Sequence, residues 1–395
     1  MSAPEVFQLS VGPLTGLAFN ADRSKLATSP AGNEVQVYGR GAGGWAVEQV
    51  LEEHDKTVTS ISWAPRTNRI VTCSQDRNAY VWTLNEATGE WKPVLVLLRI
   101  NRAATCVKWS PNEDKFAVGN GARSVAVCSF DEENNWWTSK HLKKPLRSTV
   151  LSIDWHNNGV LLAAGGADGR ARVFSAFIKG VDAKPEPSVW GEKLPFNTVC
   201  GEFASPNGGW VHDVSFSPSG NILAFASHDS TISVVYPSAP GQPPAAIQVI
   251  RSHSLPYKSL CFTTEQALVA AGHDCQPVLF QGSEQGWKKV KSLDDTAAGG
   301  RAGLTPQATG ASRFGGAGVG RLQSEAFNRF RQADTRGSSS DGATGGAGAV
   351  QANGELKTIH QNTITGVEPY EWAADGSVVK VYTIGRDGRL VIWAV

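Results

Sequence analysis

Apolar and polar residues alternate in short runs along most of this chain. In residues 58–63 (VTSISW), 69–74 (RIVTCS) and 79–84 (AYVWTL), Val, Ile, Thr and aromatic residues recur with a period of two. That period marks short, half-buried strands. The intervening APRTN and QDRN segments carry turn residues, so the three strands read as an antiparallel meander. The same order returns down the chain. Phe19, Trp63, Trp109, Trp155, Phe216 and Phe262 mark equivalent strands at spacings of 44, 46, 46, 61 and 46 residues. Four of these five gaps fit one four-stranded unit, and the wide one implies an insertion.

A polar signature punctuates each unit. Asp76 to Trp82, Asp168 to Phe174, Asp229 to Val235, Asp274 to Phe280 and Asp387 to Trp393 each place an Asp six residues before a large apolar residue, with a variant at Asn33 to Tyr38. Trp63 to Asp76, Trp155 to Asp168 and Phe216 to Asp229 are all 13 residues apart, so strand and turn lengths are held constant. An Asp in a tight turn accepts backbone and side-chain hydrogen bonds and locks the strand pair. His54, His253 and His360 precede their turn Asp by 22, 21 and 27 residues and are expected to reach back to it, a structural rather than catalytic use.

Units fall near 11–50, 54–98, 101–145, 148–200, 210–251, 254–291 and 356–393. Their sum predicts an all-β, seven-bladed propeller as a single domain. The last unit lacks an outer strand after Trp393, and Val6 to Leu9 is extended in pattern without a unit of its own. The N-terminal strand is therefore expected to complete the last blade and remove the exposed edges.

Composition agrees with a turn-rich β protein: 41% hydrophobic residues, 42 Gly, 20 Pro and 13 Trp. A formal charge of +1 supplies no overall attraction to nucleic acid or an acidic membrane, so neither is expected as a partner. The six Cys have no metal-like spacing, and Cys73, Cys106 and Cys261 sit in apolar runs as buried thiols. No metal, cofactor or catalytic constellation stands out; GGADG at 165–169 reads as a turn, without the helix and Lys of a phosphate loop. The absence of a leader and of a membrane-length apolar run predicts a soluble intracellular protein.

Two segments break the rhythm. Residues 178–206 are too rich in Pro and charge for a core strand and predict a long rim loop, with Trp190 and Phe196 positioned to pack back. Residues 293–355 are mainly Gly, Ala, Ser and Thr, an insertion between the sixth and seventh blades whose composition does not order itself. Within it, 324–335 predicts a short amphipathic helix capped by Ser324, with Phe327 and Phe330 on one face and Arg329 and Arg331 adding positive charge. Two readings stand: the helix folds back onto the propeller, or its Phe pair and arginines enter a groove on a partner. Lys140, Lys143, Lys144 and Arg147 form the densest basic run, either an acidic-peptide contact or a solvated rim.

On these residues the chain resembles the WD-repeat β-propellers, and among them the subunit 1 family of the actin-related protein 2/3 complex. The matching stretches include HDKTVTSISWAPRTNRIVTCSQDRNAYVW at 54–82, KKPLRSTVLSIDWHNN at 143–158 and RVFSAFIKGVD at 172–182. The resemblance implies a non-catalytic scaffold in a complex that nucleates branched actin filaments, in the cytoplasm at cortical actin patches. Implied partners are the actin-related proteins, the small helical subunits, the actin filament and the acidic tails of nucleation-promoting factors. Phe327 and Phe330 match the aromatic pair with which the family's protruding helix meets the mother filament. The residue pattern alone is equally that of a peptide-binding adaptor in another assembly.

Overall fold

A computed structural model describes residues 3–192, 194–239, 242–294 and 356–395. Within them 28 strands, β1 to β28 in chain order, form seven four-stranded antiparallel sheets. Blade 2 shows the common plan: β6 (Val58–Trp63) is innermost, followed outward by β7 (Arg69–Ser74), β8 (Ala79–Asn85) and β9 (Glu90–Val96). The other inner strands are β2 (Gly16–Phe19), β10 (Ala104–Trp109), β14 (Val150–Trp155), β18 (Val211–Phe216), β22 (Tyr257–Thr264) and β26 (Ile364–Trp372). Blade 7 adds β27 (Val378–Gly385) and β28 (Arg389–Ala394), and its outer place is taken by β1 (Glu5–Gln8), antiparallel to β28 with Val6 opposite Val391. The ring is thus closed by an N-terminal strand, as the unpaired 6–9 segment predicted.

The core is a series of layers between blades. One layer joins Val71, Cys73 and Val81 of blade 2 to Val107, Trp109 and Phe116 of blade 3. Another joins Ala224, Ile232 and Val234 of blade 5 to Leu260, Phe262 and Phe280 of blade 6. An inner strand such as β6 keeps the half-buried alternation, with Val58, Ile61 and Trp63 buried, whereas a middle strand such as β7 is buried from Ile70 to Ser74 because it packs against two neighbours. Each fully buried large side chain contributes about 1.5–3 kcal/mol of hydrophobic stabilisation before ordering costs.

Polar stitches add register between blades. Near its start each inner strand of blades 2 to 7 carries a register shift that leaves one residue unpaired: Thr59, Thr105, Leu151, His212, Lys258 and Thr365. Where this residue is Thr, its hydroxyl donates to a backbone carbonyl of the next blade: Thr59 to Ala104 O (3.0 Å), Thr105 to Val150 O (2.6 Å) and Thr365 to Leu14 O (3.3 Å). Thr15 does the same from blade 1, to Val58 O (2.8 Å). The residue after the bulge accepts from a backbone amide of the next blade: Ser60 from Val107, Ser152 from Val214, Asp213 from Leu260 and Ser259 from Val367.

The 178–206 segment departs from expectation. Val199–Ala204 is a strand, β17, the outer strand of blade 4, paired with β16 (Arg170–Ser175). An outer strand needs only one partner and one covered face, so Gly201 and Glu202 are tolerated there although they argue against a core strand. Trp190 is buried in the layer between blades 4 and 5 and donates from Nε1 to Gly220 O (2.8 Å), and Phe196 packs on the layer between blades 3 and 4.

Candidate interaction surfaces

Inner strands begin, second strands end and third strands begin on one face of the ring, so the Asp turns gather there. In blade 2, Trp82 Nε1 donates to Thr72 Oγ1 (3.0 Å), Thr72 Oγ1 meets His54 Nε2 (2.9 Å), and His54 Nδ1 meets Asp76 Oδ2 (2.7 Å). A neutral imidazole protonated on Nδ1 satisfies every member: it accepts from the Thr hydroxyl and donates to the carboxylate. Burial pushes the His54 pKa down against the raising effect of Asp76, consistent with that neutral form. Blade 7 repeats the chain with Trp393, Thr383, His360 and Asp387. Thr72 and Thr383, which close both chains, were not singled out from sequence; the signal was a Thr ten residues before each Trp.

The other turns solve the same problem with different partners. Asp168 pairs with fully buried Arg172 (2.8 Å) and accepts from the Arg147 amide. Asp229 accepts from Thr231 Oγ1 (2.6 Å) and the Asn207 amide (3.1 Å). Asp274 accepts from the Leu255 amide (3.1 Å), while His253 is exposed and does not reach it. The expected His253 pairing is therefore corrected. Its loop turns on Ser252, Ser254 and Tyr257, whose hydroxyls meet one another and leave the imidazole outside.

Lys143, Lys144 and Arg147 are exposed in the connection between blades 3 and 4, and Lys140 is exposed on β13 (Trp136–Leu142). None of the four forms an ion pair with a described residue. The loop is anchored by buried Leu142 and Leu146 and by His141 Nε2, which meets Leu98 O (2.8 Å). The basic side chains thus stand on a fixed base. Toward the opposite face, where second strands begin and third strands end, Lys115 and Asp182 form a buried ion pair that ties the 176–197 excursion to blade 3, with Lys115 Nζ also donating to Ala176 O (3.2 Å). Burial lowers the Lys115 pKa and raises that of Asp182.

The roots of the large insertion lie on this same face. Leu293 and Ile359 pack on the layer between blades 6 and 7, and the Ile359 amide donates to Asp294 Oδ2 (2.7 Å). The chain therefore leaves and re-enters at one point beside the His360–Asp387 chain. Phe327, Phe330, Arg329 and Arg331 lie outside the described residues, as does the 324–335 helix.

The free cysteines Cys73 and Cys261 are buried as expected, while Cys106 is half-buried, and burial raises each thiol pKa, that of Cys106 to about 11. They lack the thiolate character of a nucleophile. Among the described residues no helix is long and apolar enough to cross a membrane.

Comparison with known proteins agrees with the repeat. A family model for the WD domain, G-beta repeat, matches residues 45–83 and 198–235, and one for the anaphase-promoting complex subunit 4 WD40 domain matches 107–181. Actin-related protein 2/3 complex subunit 1 of Schizosaccharomyces pombe is 48% identical over 401 residues, covering 100% of both chains. Subunit 1A-B of Xenopus laevis is 46% identical over 98% of this chain and 95% of its own, and subunit 1 of Saccharomyces cerevisiae is 39% identical over 100% and 98%. The register of seven closed blades and these full-length identities together show that the chain belongs to the actin-related protein 2/3 complex subunit 1 family of WD-repeat propellers.

Proposed function

We propose that this chain is a non-catalytic scaffold subunit of an actin-related protein 2/3 complex, working in the cytoplasm at cortical actin patches to support branched filament formation. The observation that carries this reading is identity along essentially the whole length with relatives named as subunit 1 of that complex. A closed ring with interlocked blades suits the role, because a rigid body can hold several partners at fixed angles. The actin-related proteins and small helical subunits would occupy its rims. The exposed Lys140, Lys143, Lys144 and Arg147 would receive the acidic tails of nucleation-promoting factors, raising their encounter rate through charge complementarity.

The insertion would add a contact to the side of the mother filament through Phe327 and Phe330, with Arg329 and Arg331 beside them. A tethered helix gains effective concentration from the complex that carries it, so a weak contact suffices. Replacing both Phe327 and Phe330 by Ala is expected to lower branch density in a filament-branching assay while the complex still purifies with its actin-related proteins. Loss of co-purification would instead make the helix part of the assembly interface. Recovery of the wild-type chain without actin-related proteins would favour the adaptor reading.

A further inference from the structure

The bulge position of the inner strands supplies a structural default and three departures from it. Blades 1, 2, 3 and 7 place Thr15, Thr59, Thr105 and Thr365 there or at its equivalent, each stitching to the next blade. Blade 4 has Leu151, and blades 5 and 6 have His212 and Lys258. The latter two bond to each other across the seam of blades 5 and 6 rather than to a backbone carbonyl of the next blade. Lys258 Nζ donates to His212 Nδ1 (3.4 Å), and His212 Nε2 meets His228 Nδ1 (2.9 Å). An ammonium has no acceptor, so the direction of the chain is forced: His212 Nε2 carries hydrogen and donates to His228 Nδ1, which leaves the Nε2 side of His228 facing beyond the chain.

A second ring of equivalent positions shows the same asymmetry. The residue following each second strand donates its amide to the carbonyl just before the inner strand, at Gln75, Gly121, Ala167, His228, His273 and Arg386. Blades 2 to 4 thus carry no basic side chain there, and blades 5 to 7 carry His228, His273 and Arg386 in succession. Trp210, 55% exposed, lies beside His228 with ring centroids 5.9 Å apart.

The groups feel one another as like charges. His212 is pushed down to about 4 by burial, then by Lys258, His228 and His273. Burial, then Lys258, His228 and Arg386, lowers His273. Burial also lowers Lys258, with Asp213 opposing and Arg386 adding to the effect. Asp213 is committed beneath them to Ser152, Ser259 and the Leu260 amide. None of Lys258, His228, His273 or Arg386 forms an ion pair with a described carboxylate.

We propose that this face of the ring, from blade 5 to blade 7, is a binding site for a small phosphate-class anion, held by Lys258, Arg386, His228 and His273. In place of a Thr hydroxyl, blade 6 carries an ammonium whose described hydrogen bond is the 3.4 Å contact to His212, with the Arg386 guanidinium acting on it as a like charge and no ion-paired carboxylate beside it, which stability alone does not explain. A multiply charged, compact anion relieves that repulsion at one point, whereas an extended acidic peptide calls for charges spread along a groove.

The test is calorimetric titration of the full chain, and of its assembled complex, with inorganic pyrophosphate at constant ionic strength. Lys258→Thr and His212→Thr install the residue that stitches the other blades, so folding is expected to be kept. Lys258→Thr should weaken binding by roughly tenfold or more, as loss of a charge-assisted contact does, and His212→Thr should weaken it less, by releasing the His228 ring that it positions. Arg386→Gln, on an exposed side chain, should weaken it similarly and guards against a folding defect in the other two. Absence of pyrophosphate binding to the wild-type chain, or binding indifferent to all three substitutions, overturns the proposal. So does a site that takes a polyglutamate peptide but not pyrophosphate.

Discussion

In the second blade a single hydroxyl, that of Thr72, stands between Trp82 and His54, with no solvent in reach of any of them. Removing it strands an indole N–H and an imidazole nitrogen in the interior. Thr72→Val keeps the shape and is expected to cost about 1–3 kcal/mol, the penalty for unsatisfied buried polar groups, whereas Thr72→Ser should cost less. Urea denaturation of the two variants decides it, and equal losses would refute the polar account. The ionisable members of these chains predict acid sensitivity. For Asp387, burial raises the carboxyl pKa, but the hydrogen bonds it accepts from His360 and from the Gln361 and Arg389 amides leave it lowered. Its stabilisation is full above the ordinary Asp range near 4 and fades as pH falls through the lower folded value. His54 and His212 are lowered chiefly by burial, the latter to about 4. Each binds its proton more readily when unfolded, so their contribution is complete above about 6.5 and is lost as pH drops towards the folded value. The melting temperature should therefore change little from pH 8 to 7 and decline from pH 6 to 4. A flat profile over that range would count against neutral buried imidazoles. At this scale the sequence disclosed the Asp, His and Trp members by their spacing. It concealed Thr72, because Thr also occurs for strand propensity alone, and misplaced His253, because an exposed loop His 21 residues before its Asp reads like the buried His54 at 22.

The elements were more legible than their partners. Middle strands such as β7 were plain because burial on two faces demands continuous apolar character, while β17 was hidden by Gly201 and Glu202 on a one-sided strand. The closing strand was legible from what it lacked, a unit of its own. It is held by more than its ladder: the Leu9 amide donates to Gly388 O (3.0 Å), Tyr38 Oη donates to Leu9 O (3.0 Å), and Phe7 meets Trp45 edge to face at 6.4 Å. Deleting residues 1–10 removes all of these and leaves β28 as an open edge. The truncated chain is expected to melt at lower temperature and to aggregate on heating, as scanning calorimetry with light scattering would show. An unchanged midpoint would mean that blade 7 stands on three strands.

Across the whole molecule, a nearly regular ring is unevenly furnished. Blades 1, 2, 3 and 7 keep their Thr stitches, blades 5 to 7 carry Lys258, His228, His273 and Arg386, and the insertion springs from the junction of blades 6 and 7 on the same face. The repeat was readable because every blade must solve the same packing problem. The uneven furnishing was not, because a His or Lys at one bulge position differs from its neighbours only once the blades are superposed in register. The closing strand also ties the fold to the order in which the chain is made. Gln8 donates to Asp387 O (2.8 Å) across 379 residues of sequence. At synthesis rates of roughly 5–20 residues per second, the N-terminal strand leaves the ribosome on the order of 20–80 s before its partner exists. Six blades can assemble in that interval with two unsatisfied edges, and during it a chaperone or a neighbouring nascent chain competes for the place that β28 will take.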